Sequence, residues 1–280
     1  MIFDIHTHFN SRNPDELKTF VAECEALGTR VCICSAGPRS DHEYPENEFI
    51  AQAVRPYADI LVPFAFVDLW NTVDTQCVER FREQGFRGLK CITPYYPYDH
   101  DMYMPIYEAA ERLGMPVLFH TGLYRPDPKS RIHRRPLVAN MRPLCLDRIA
   151  RTFQNLKIIM AHMGTTLFRH EAAQLALLHP NLYVDLAGRG SWMAMQPAEL
   201  SVLLGHPVHQ VDMSFTGFKK LILGSDAYVT VPSLLREAQA WYSRTLQRVG
   251  VPDEIVSGIM GGTVAAWLKE SSSKQTVSVP

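Results

Sequence analysis

The sequence has no long hydrophobic segment and almost no net charge. Hydrophobic residues make up 46% of its 280 positions, yet no run approaches the roughly 18 apolar residues that span a bilayer. No basic region followed by an apolar stretch begins the chain, so we expect no removable signal. The 28 lysines and arginines nearly balance the 29 acidic residues, which leaves no overall field to attract nucleic acid or an anionic membrane. These absences predict a globular protein that binds neither nucleic acid nor a membrane.

Cysteine is also scarce, and its spacing argues against a disulfide framework. The six cysteines are scattered along the chain, and three of them fall in predicted buried strands. They are Cys24, Cys32, Cys34, Cys77, Cys91 and Cys145. This distribution favours reduced thiols and a cytoplasmic location.

Short apolar segments alternate with amphipathic segments along most of the chain. The apolar segments are continuous rather than alternating, which is typical of parallel strands covered by helices. Eight candidate strands span residues 2–6, 30–35, 60–67, 86–92, 116–120, 157–162, 182–186 and 220–226. The pattern predicts a (β/α)8 TIM-type barrel in one domain over residues 1–270, with a disordered tail over 271–280. A doubly wound open sheet is the alternative.

The first predicted strand ends in the sequence Asp4-Ile5-His6-Thr7-His8. Successive side chains of a strand point to opposite faces, so His6 and His8 share one face. Two imidazoles that converge at a strand end can chelate a transition metal. This pair is the first indication of a metal site.

Other polar residues interrupt the predicted strands near their C-terminal ends. His120, His162 and Asp226 end strands five, six and eight, Lys90 ends strand four, and Asp185 falls within strand seven. The C-terminal strand ends of a barrel converge on one face, where active sites are built. Four imidazoles and one carboxylate meeting there favour a divalent transition metal such as zinc.

Each of these residues, taken singly, also has a purely structural explanation. A histidine at a strand end can be a hydrogen-bonded core residue, and Asp226 can be the N-cap of a turn. Lys90 can extend its amine to the barrel rim. The joint placement of all of them at one end of the barrel favours the site.

Six short motifs carry a resemblance to a known family. They are Asp4-Ile5-His6-Thr7-His8, Gly88-Leu89-Lys90, Phe119-His120-Thr121-Gly122, Ala161-His162-Met163-Gly164, Val184-Asp185-Leu186 and Gly224-Ser225-Asp226. Together they resemble the amidohydrolase superfamily over nearly the whole chain. The closest resemblance is to the branch of metal-dependent hydrolases that also contains aminocarboxymuconate-semialdehyde decarboxylase.

The resemblance implies a distorted (β/α)8 barrel with a metal at its strand ends. It implies that His6, His8, His120 and Asp226 are ligands and that His162 contacts the substrate or the activated water. One divalent ion is expected, zinc first and manganese as the alternative. A second ion, bridged by a carboxylated Lys90, is the less favoured arrangement.

Such a site supports two reactions. A zinc-like ion lowers the pKa of bound water from about 15.7 to about 7, Asp226 can accept the proton, and His162 can polarise a substrate carbonyl. Hydrolysis of a small amide, ester or lactone is therefore the leading hypothesis. Decarboxylation of an aromatic or muconate-like acid by the same groups is the alternative. A non-catalytic barrel is disfavoured because no metal-binding position has been lost.

The loop after predicted strand five is rich in arginine, a side chain that binds carboxylates through paired hydrogen bonds. Its arginines are Arg125, Arg131, Arg134, Arg135 and Arg142. We expect at least one to hold a small acidic substrate, the alternative being a solvated basic loop. Residues 38–45 and 188–192 are candidate lids, and Arg189 and Trp192 are candidates to stack on a planar substrate. A homodimer is left open.

Overall fold

A parallel eight-stranded sheet forms the centre of the molecule. The computed structural model describes residues 2–37, 43–70, 74, 76–125, 136–205 and 215–273. Its strands are β1 (Ile2–His8), β2 (Thr29–Cys34), β3 (Leu61–Val67), β4 (Gly88–Cys91), β5 (Val117–His120), β6 (Ile158–Ala161), β7 (Leu182–Val184) and β8 (Ala227–Tyr228). Their spatial order is β7-β6-β5-β4-β3-β2-β1-β8.

The segment before β8 closes this sheet into a barrel. Leu221 forms a parallel bridge with Val184 of β7, and the Ile222 amide donates to the Val184 carbonyl at 2.9 Å. On the other side, the Ile5 amide of β1 donates to the Leu223 carbonyl at 2.9 Å. This one segment thus pairs with β7 on one side and with β1 on the other. The predicted (β/α)8 barrel is confirmed, and the open doubly wound alternative is wrong because its sheet would keep two separate edges.

Helices connect the strands on the outside of the barrel. They are α1 (Pro14–Ala26), α2 (Asn47–Ala53), α3 (Cys77–Glu83), α4 (Met104–Arg112), α5 (Leu146–Thr152), α6 (Thr165–Leu178), α7 (Arg189–Ala194), α8 (Pro197–Gly205), α9 (Ser233–Val249), α10 (Asp253–Ser257) and α11 (Thr263–Ser273). Within the described ranges, none of them is both long and apolar enough to cross a bilayer. Residues 274–280 of the predicted tail lie outside the described residues.

Helix α1 shows how local sequence sets its bounds. The Asn13 side chain caps the helix by accepting a hydrogen bond from the Asp15 amide, and Pro14 occupies the first turn, where its missing N–H costs nothing. The helix ends before Gly28, whose φ of +60° suits glycine. These local signals made α1 predictable from sequence.

Alternate strand residues pack into two separate hydrophobic clusters. Val31 and Ile33 of β2 belong to the larger cluster, which lies between the sheet and the helices, whereas Cys32 and Cys34 belong to a smaller one. The smaller cluster fills the barrel interior and includes Trp267 of α11. All six cysteines are unpaired thiols, as predicted.

A bulge in β1 controls the direction of the first two histidines. Asp4 pairs with Val31 of β2 and Thr7 with Ile33, so β1 uses one extra residue between these two pairs. A bulge of this kind shifts the alternation of side chains along the strand. It brings His6 and His8 onto the inner face of the barrel, beyond the apolar residues at the start of β1.

Gly122 holds the loop after β5 against the turn after β6. Its φ is +93°, and a Cβ atom there would lie 2.3 Å from the Gly164 carbonyl oxygen. We expect Gly122→Ala to lower the free energy of unfolding by about 3 kcal/mol, through backbone strain and this clash. Gly28→Ala is the control, because its φ is +60° and nothing lies within 4 Å of the added atom. Urea unfolding curves measure both, and equal losses would contradict the clash.

Candidate metal centre

The C-terminal end of β1 and the residue just before β8 bring two imidazoles and one carboxylate together. His6 Nε2 lies 3.1 Å from His8 Nε2, and Asp226 Oδ1 lies 3.0 Å from His8 Nε2 and 3.5 Å from His6 Nε2. Both histidines are buried. These residues form a group whose ligand atoms could hold one metal ion.

The spacing of these atoms fits a metal ion. Two ligands of a tetrahedral zinc ion, at bonds of about 2.0–2.1 Å, lie roughly 3.3 Å apart. The observed separations of 3.0 to 3.5 Å bracket that value. Asp226 Oδ1 is buried, and among the described residues it has no partner in hydrogen-bonding geometry. A buried oxygen without such a partner is costly in a protein without an ion and is satisfied by a bound cation.

Asp226 is held in its charged form by its neighbours. Burial by itself raises the pKa of this carboxyl group, but the nearby His8, His6 and His162 outweigh that effect and hold the pKa well below its usual range. A carboxylate is the protonation state that ligates a metal and accepts a proton.

Asp185 of the segment after β7 orients His6. Its Oδ2 lies 3.0 Å from His6 Nδ1, and its Oδ1 accepts hydrogen bonds from the backbone amides of His162 at 2.7 Å and Ala187 at 2.9 Å. A carboxylate at Nδ1 places the imidazole proton there and leaves Nε2 with a lone pair for a metal. In the sequence Asp185 stands out only as a polar residue in a predicted strand, and its role as the partner of His6 was not predicted.

Lys90 reaches the same group from β4. Its Nζ lies 2.9 Å from His6 Nε2, and the side chain is fully buried. Burial lowers the pKa of Lys90, and burial together with the Lys90 charge keeps the pKa of His6 well below its ordinary value. The lowered pKa of His6 favours the neutral imidazole that a metal requires.

His120 and His162 form a second pair beside the first group. His162 Nδ1 donates to the Ala187 carbonyl at 2.8 Å, and His162 Nε2 lies 3.0 Å from His120 Nδ1. The Leu123 carbonyl can only accept, so His120 Nε2 donates to it at 3.2 Å. The lone pair of His120 then lies on Nδ1, which faces His162 Nε2. His120 lies outside the compact group of His6, His8 and Asp226.

Two of the site residues have strained backbones. His162 and Asp226 each have a φ of +62°, a left-handed conformation that non-glycine residues rarely adopt. Such strain concentrates at functional sites, where the surrounding structure holds it. The left-handed conformation of Asp226 also ends the predicted eighth strand. Residues 221–223 pair with β7 and β1, and the regular strand Ala227–Tyr228 begins only after the turn.

A cavity of about 490 Å³ opens above these groups. His8, His120, His162 and Asp226 line it, together with residues of the surrounding loops, strands and helices. Among these other lining residues are Tyr44, Tyr228, Arg125, Thr165 and Ser191. The volume is that of a small-molecule site.

Of the candidate substrate-binding arginines that the structure describes, one lines the cavity and the other forms an ion pair. Arg125 lines the cavity, whereas Arg142 pairs with Glu171 at 2.6 Å. Arg131, Arg134 and Arg135, and residues 38–42 of the first candidate lid, lie outside the described residues.

The second candidate lid, residues 188–192, lies mostly within helix α7. Ser191 in α7 lines the cavity, but Trp192 is buried, with its ring 6.2 Å from that of Trp241. Arg189 lies 3.3 Å from Glu237 in an ion pair. Trp192 therefore contributes to packing between α7 and α9.

Comparison with known sequences identifies the family. The sequence profile described as amidohydrolase matches residues 3–269. The chain belongs to the amidohydrolase family. The resemblance found in the motifs is thus confirmed. No curated protein sequence matches the chain.

Solved structures resemble this amidohydrolase over almost its whole length. An uncharacterized TIM-barrel protein from Bordetella bronchiseptica has 18% identity and a TM-score of 0.70, covering 97% of this chain and 99% of its own. 2,6-Dihydroxybenzoate decarboxylase from Rhizobium has 16% identity and a TM-score of 0.65, covering 96% and 98%.

A hydrolase is among these neighbours as well. A probable 2-pyrone-4,6-dicarboxylic acid hydrolase from Acinetobacter baumannii, solved with citric acid bound, has 13% identity and a TM-score of 0.62, covering 96% of this chain and 99% of its own. At these identities the neighbours establish the barrel fold. The metal group described above agrees with the metal binding typical of the family.

Proposed function

We propose that this amidohydrolase is a metal-dependent hydrolase of a small, carboxylated amide, ester or lactone. The observation that carries the proposal is the convergence of His6 Nε2, His8 Nε2 and Asp226 Oδ1 within 3.5 Å of one another. The group lies at a cavity of small-molecule size. His120, at the cavity wall, is proposed as a further ligand.

One divalent ion is proposed, zinc first and manganese second. When bound, it supplies Lewis acidity and a water acidified to a pKa of about 7. The three groups His6, His8 and Asp226 suit zinc because imidazole nitrogens and a carboxylate oxygen are its common ligands. A second ion bridged by carboxylated Lys90 is the less favoured form of the proposal.

The two oxygens of Asp226 have different surroundings, and we assign them different tasks. Oδ1 faces the two imidazoles, whereas a Cβ atom built on Gly188 at the cavity wall would lie 3.2 Å from Oδ2. Oδ2 is thus the oxygen nearer the cavity, and in the proposal it takes the proton from water and later returns it to the leaving group. The absence of a side chain at Gly188 keeps that space open.

His162 is proposed to stabilise negative charge on the substrate carbonyl. Its Nδ1 is committed to the Ala187 carbonyl, so donation to the substrate must come from Nε2. That donation competes with the 3.0 Å contact between His162 Nε2 and His120 Nδ1. Substrate binding is therefore expected to separate these two rings when His162 polarises the carbonyl.

An acidic substrate is supported by Arg125 at the cavity wall. A guanidinium binds carboxylates through two parallel hydrogen bonds. The A. baumannii neighbour, named for a dicarboxylic acid substrate, was solved with citric acid bound. A cytoplasmic location and a homodimer remain predictions.

Decarboxylation is the second candidate. The Rhizobium decarboxylase, at a TM-score of 0.65, resembles this chain as well as the hydrolase at 0.62 does. The same groups can serve this reaction, with the Asp226 and His162 pair relaying a proton from water to the substrate carbon before carbon dioxide leaves. The substrate would be an aromatic or muconate-like acid.

Metal removal and a substrate panel test the proposal. We expect chelation to lower hydrolysis of carboxylated lactones and esters at least 100-fold, because the acidified water is lost, and one equivalent of zinc to restore it. The control is His170→Ala in α6, an exposed histidine that should leave metal dependence unchanged. Release of one carbon dioxide per turnover from aromatic or dienoic acids, without hydrolysis, would replace the hydrolase assignment with the decarboxylase. Activity that survives complete metal removal would contradict both.

A further inference from the structure

The two metal-facing histidines of β1 have different partners at their second ring nitrogen. His6 Nδ1 faces the carboxylate of Asp185 at 3.0 Å. His8 Nδ1 instead faces a thiol, with Cys34 Sγ at 3.6 Å. Metal-bound imidazoles almost always use this second nitrogen to contact a group that fixes the ring. The proposed function gives no role to Cys34.

Strand pairing puts the thiol opposite the imidazole. His8 and Cys34 are partners in the β1–β2 register, which the bulge between Asp4 and Thr7 sets. Cys34 is 1% exposed and points into the barrel interior. The contact therefore follows from the strand geometry rather than from a mobile surface group.

The hydrogens around this thiol can be assigned. Cys34 Sγ donates its S–H to the Thr7 carbonyl at 3.4 Å. With that hydrogen used, the sulfur can only accept, and the atom facing it is His8 Nδ1. The imidazole proton then lies on Nδ1, which leaves Nε2 with its lone pair at the group formed by His6 and Asp226.

We propose that Cys34 is a positioning residue that fixes the tautomer and ring orientation of His8 for metal binding. The inference rests on the proposed metal-dependent function. Sulfur is a weak, uncharged acceptor compared with a carboxylate. Cys34 therefore holds His8 less firmly than Asp185 holds His6, and its loss has the smaller effect on affinity.

Zinc affinity and a spectroscopic signature test the role of Cys34. We expect Cys34→Ala to weaken zinc binding about 10-fold, the lower end of the effect usual for groups that orient a ligand. Cys34→Ser should bind zinc within about 3-fold of the original protein, because a hydroxyl can also donate and accept. Cys32→Ala is the matched control, since Cys32 lies on the same strand and in the same interior cluster and is 1% exposed. Competition with a chromophoric chelator measures affinity.

Two further measurements separate positioning from packing. In the zinc-loaded protein, nitrogen NMR of the imidazoles should show a hydrogen on His8 Nδ1, and the Nδ1 chemical shift should move in Cys34→Ala and stay unchanged in Cys32→Ala. The visible spectrum of the cobalt-loaded protein should shift in Cys34→Ala and stay unchanged in Cys32→Ala. If the alanine variant fails to fold, Cys34→Val keeps the volume, removes both polar contacts and carries the same expectation.

The possible outcomes distinguish a failure of the Cys34 role from a failure of the proposed metal-dependent function. If the original protein binds zinc and Cys34→Ala binds it equally well with an unchanged cobalt spectrum, the role of Cys34 is overturned and the metal site stands. If the original protein binds no zinc or manganese, the metal-dependent function is overturned, and the role of Cys34 with it.

Discussion

Replacing Asp226 by asparagine is expected to lower kcat about 1000-fold, within the range observed when a proton-transferring group is lost. The amide keeps the volume of the side chain but removes the negative charge that the neighbouring imidazoles stabilise. It also removes the oxygen that accepts the proton. Because Asp226 is both a proposed ligand and the proposed base, zinc affinity should fall along with kcat.

Steady-state kinetics with saturating zinc separate these two losses. Saturation restores metal occupancy, so the remaining deficit in kcat reports proton transfer. Asp101→Asn is the control, because Asp101 pairs with Arg148 on the surface at 2.6 Å and is not among the residues that line the cavity. An Asp226→Asn variant that keeps half of the original kcat would remove Asp226 from the proposed mechanism.

Replacing Asp185 by asparagine is expected to weaken zinc binding about 100-fold, the upper end for a residue that orients a ligand. The amide oxygen can still accept from the His162 and Ala187 amides, as Asp185 Oδ1 does. The amide nitrogen then faces His6 Nδ1 and donates to it. His6 is forced to carry its proton on Nε2, the atom that would bind the metal.

A second Asp–His pair provides the control for this variant. Asp147 Oδ1 lies 2.7 Å from His179 Nε2, away from the candidate centre. Asp147→Asn should therefore leave zinc affinity unchanged while it disturbs a comparable contact. Isothermal titration with zinc measures both variants. Equal affinity of Asp185→Asn and the original protein would mean that His6 does not depend on Asp185 for its tautomer.

The architecture of the barrel was predictable because its signals are local. Continuous apolar strands, helix caps and helix-ending glycines act within a few residues, as in α1, where Asn13 and Gly28 bound the helix. Where the chain departs from local preference, prediction from sequence did not locate the element. The strand expected over 220–226 ends at the left-handed Asp226, and the candidate lid over 188–192 lies mostly within α7.

The gathering of the metal group was predictable in outline. His6, His8 and Asp226 come together, as their strand-end positions indicated. The groups that orient them were not predictable. Asp185 and Cys34 each contact an imidazole that is far away in the sequence, and no local pattern marks either residue as a partner of His6 or His8.

Residue chemistry and periodicity were enough to indicate a parallel barrel and the rim at which imidazoles and a carboxylate collect, because these depend on side-chain type and strand direction. The family was indicated by the resemblance of six short motifs. The protonation pattern of the site came only with the folded chain. The bulge in β1, the closure of β7 onto β1 through residues 221–223, and the turn at Asp226 decide which nitrogen of each ring faces the centre. These features depend on contacts between segments far apart in the chain, and such contacts form only once the barrel has closed.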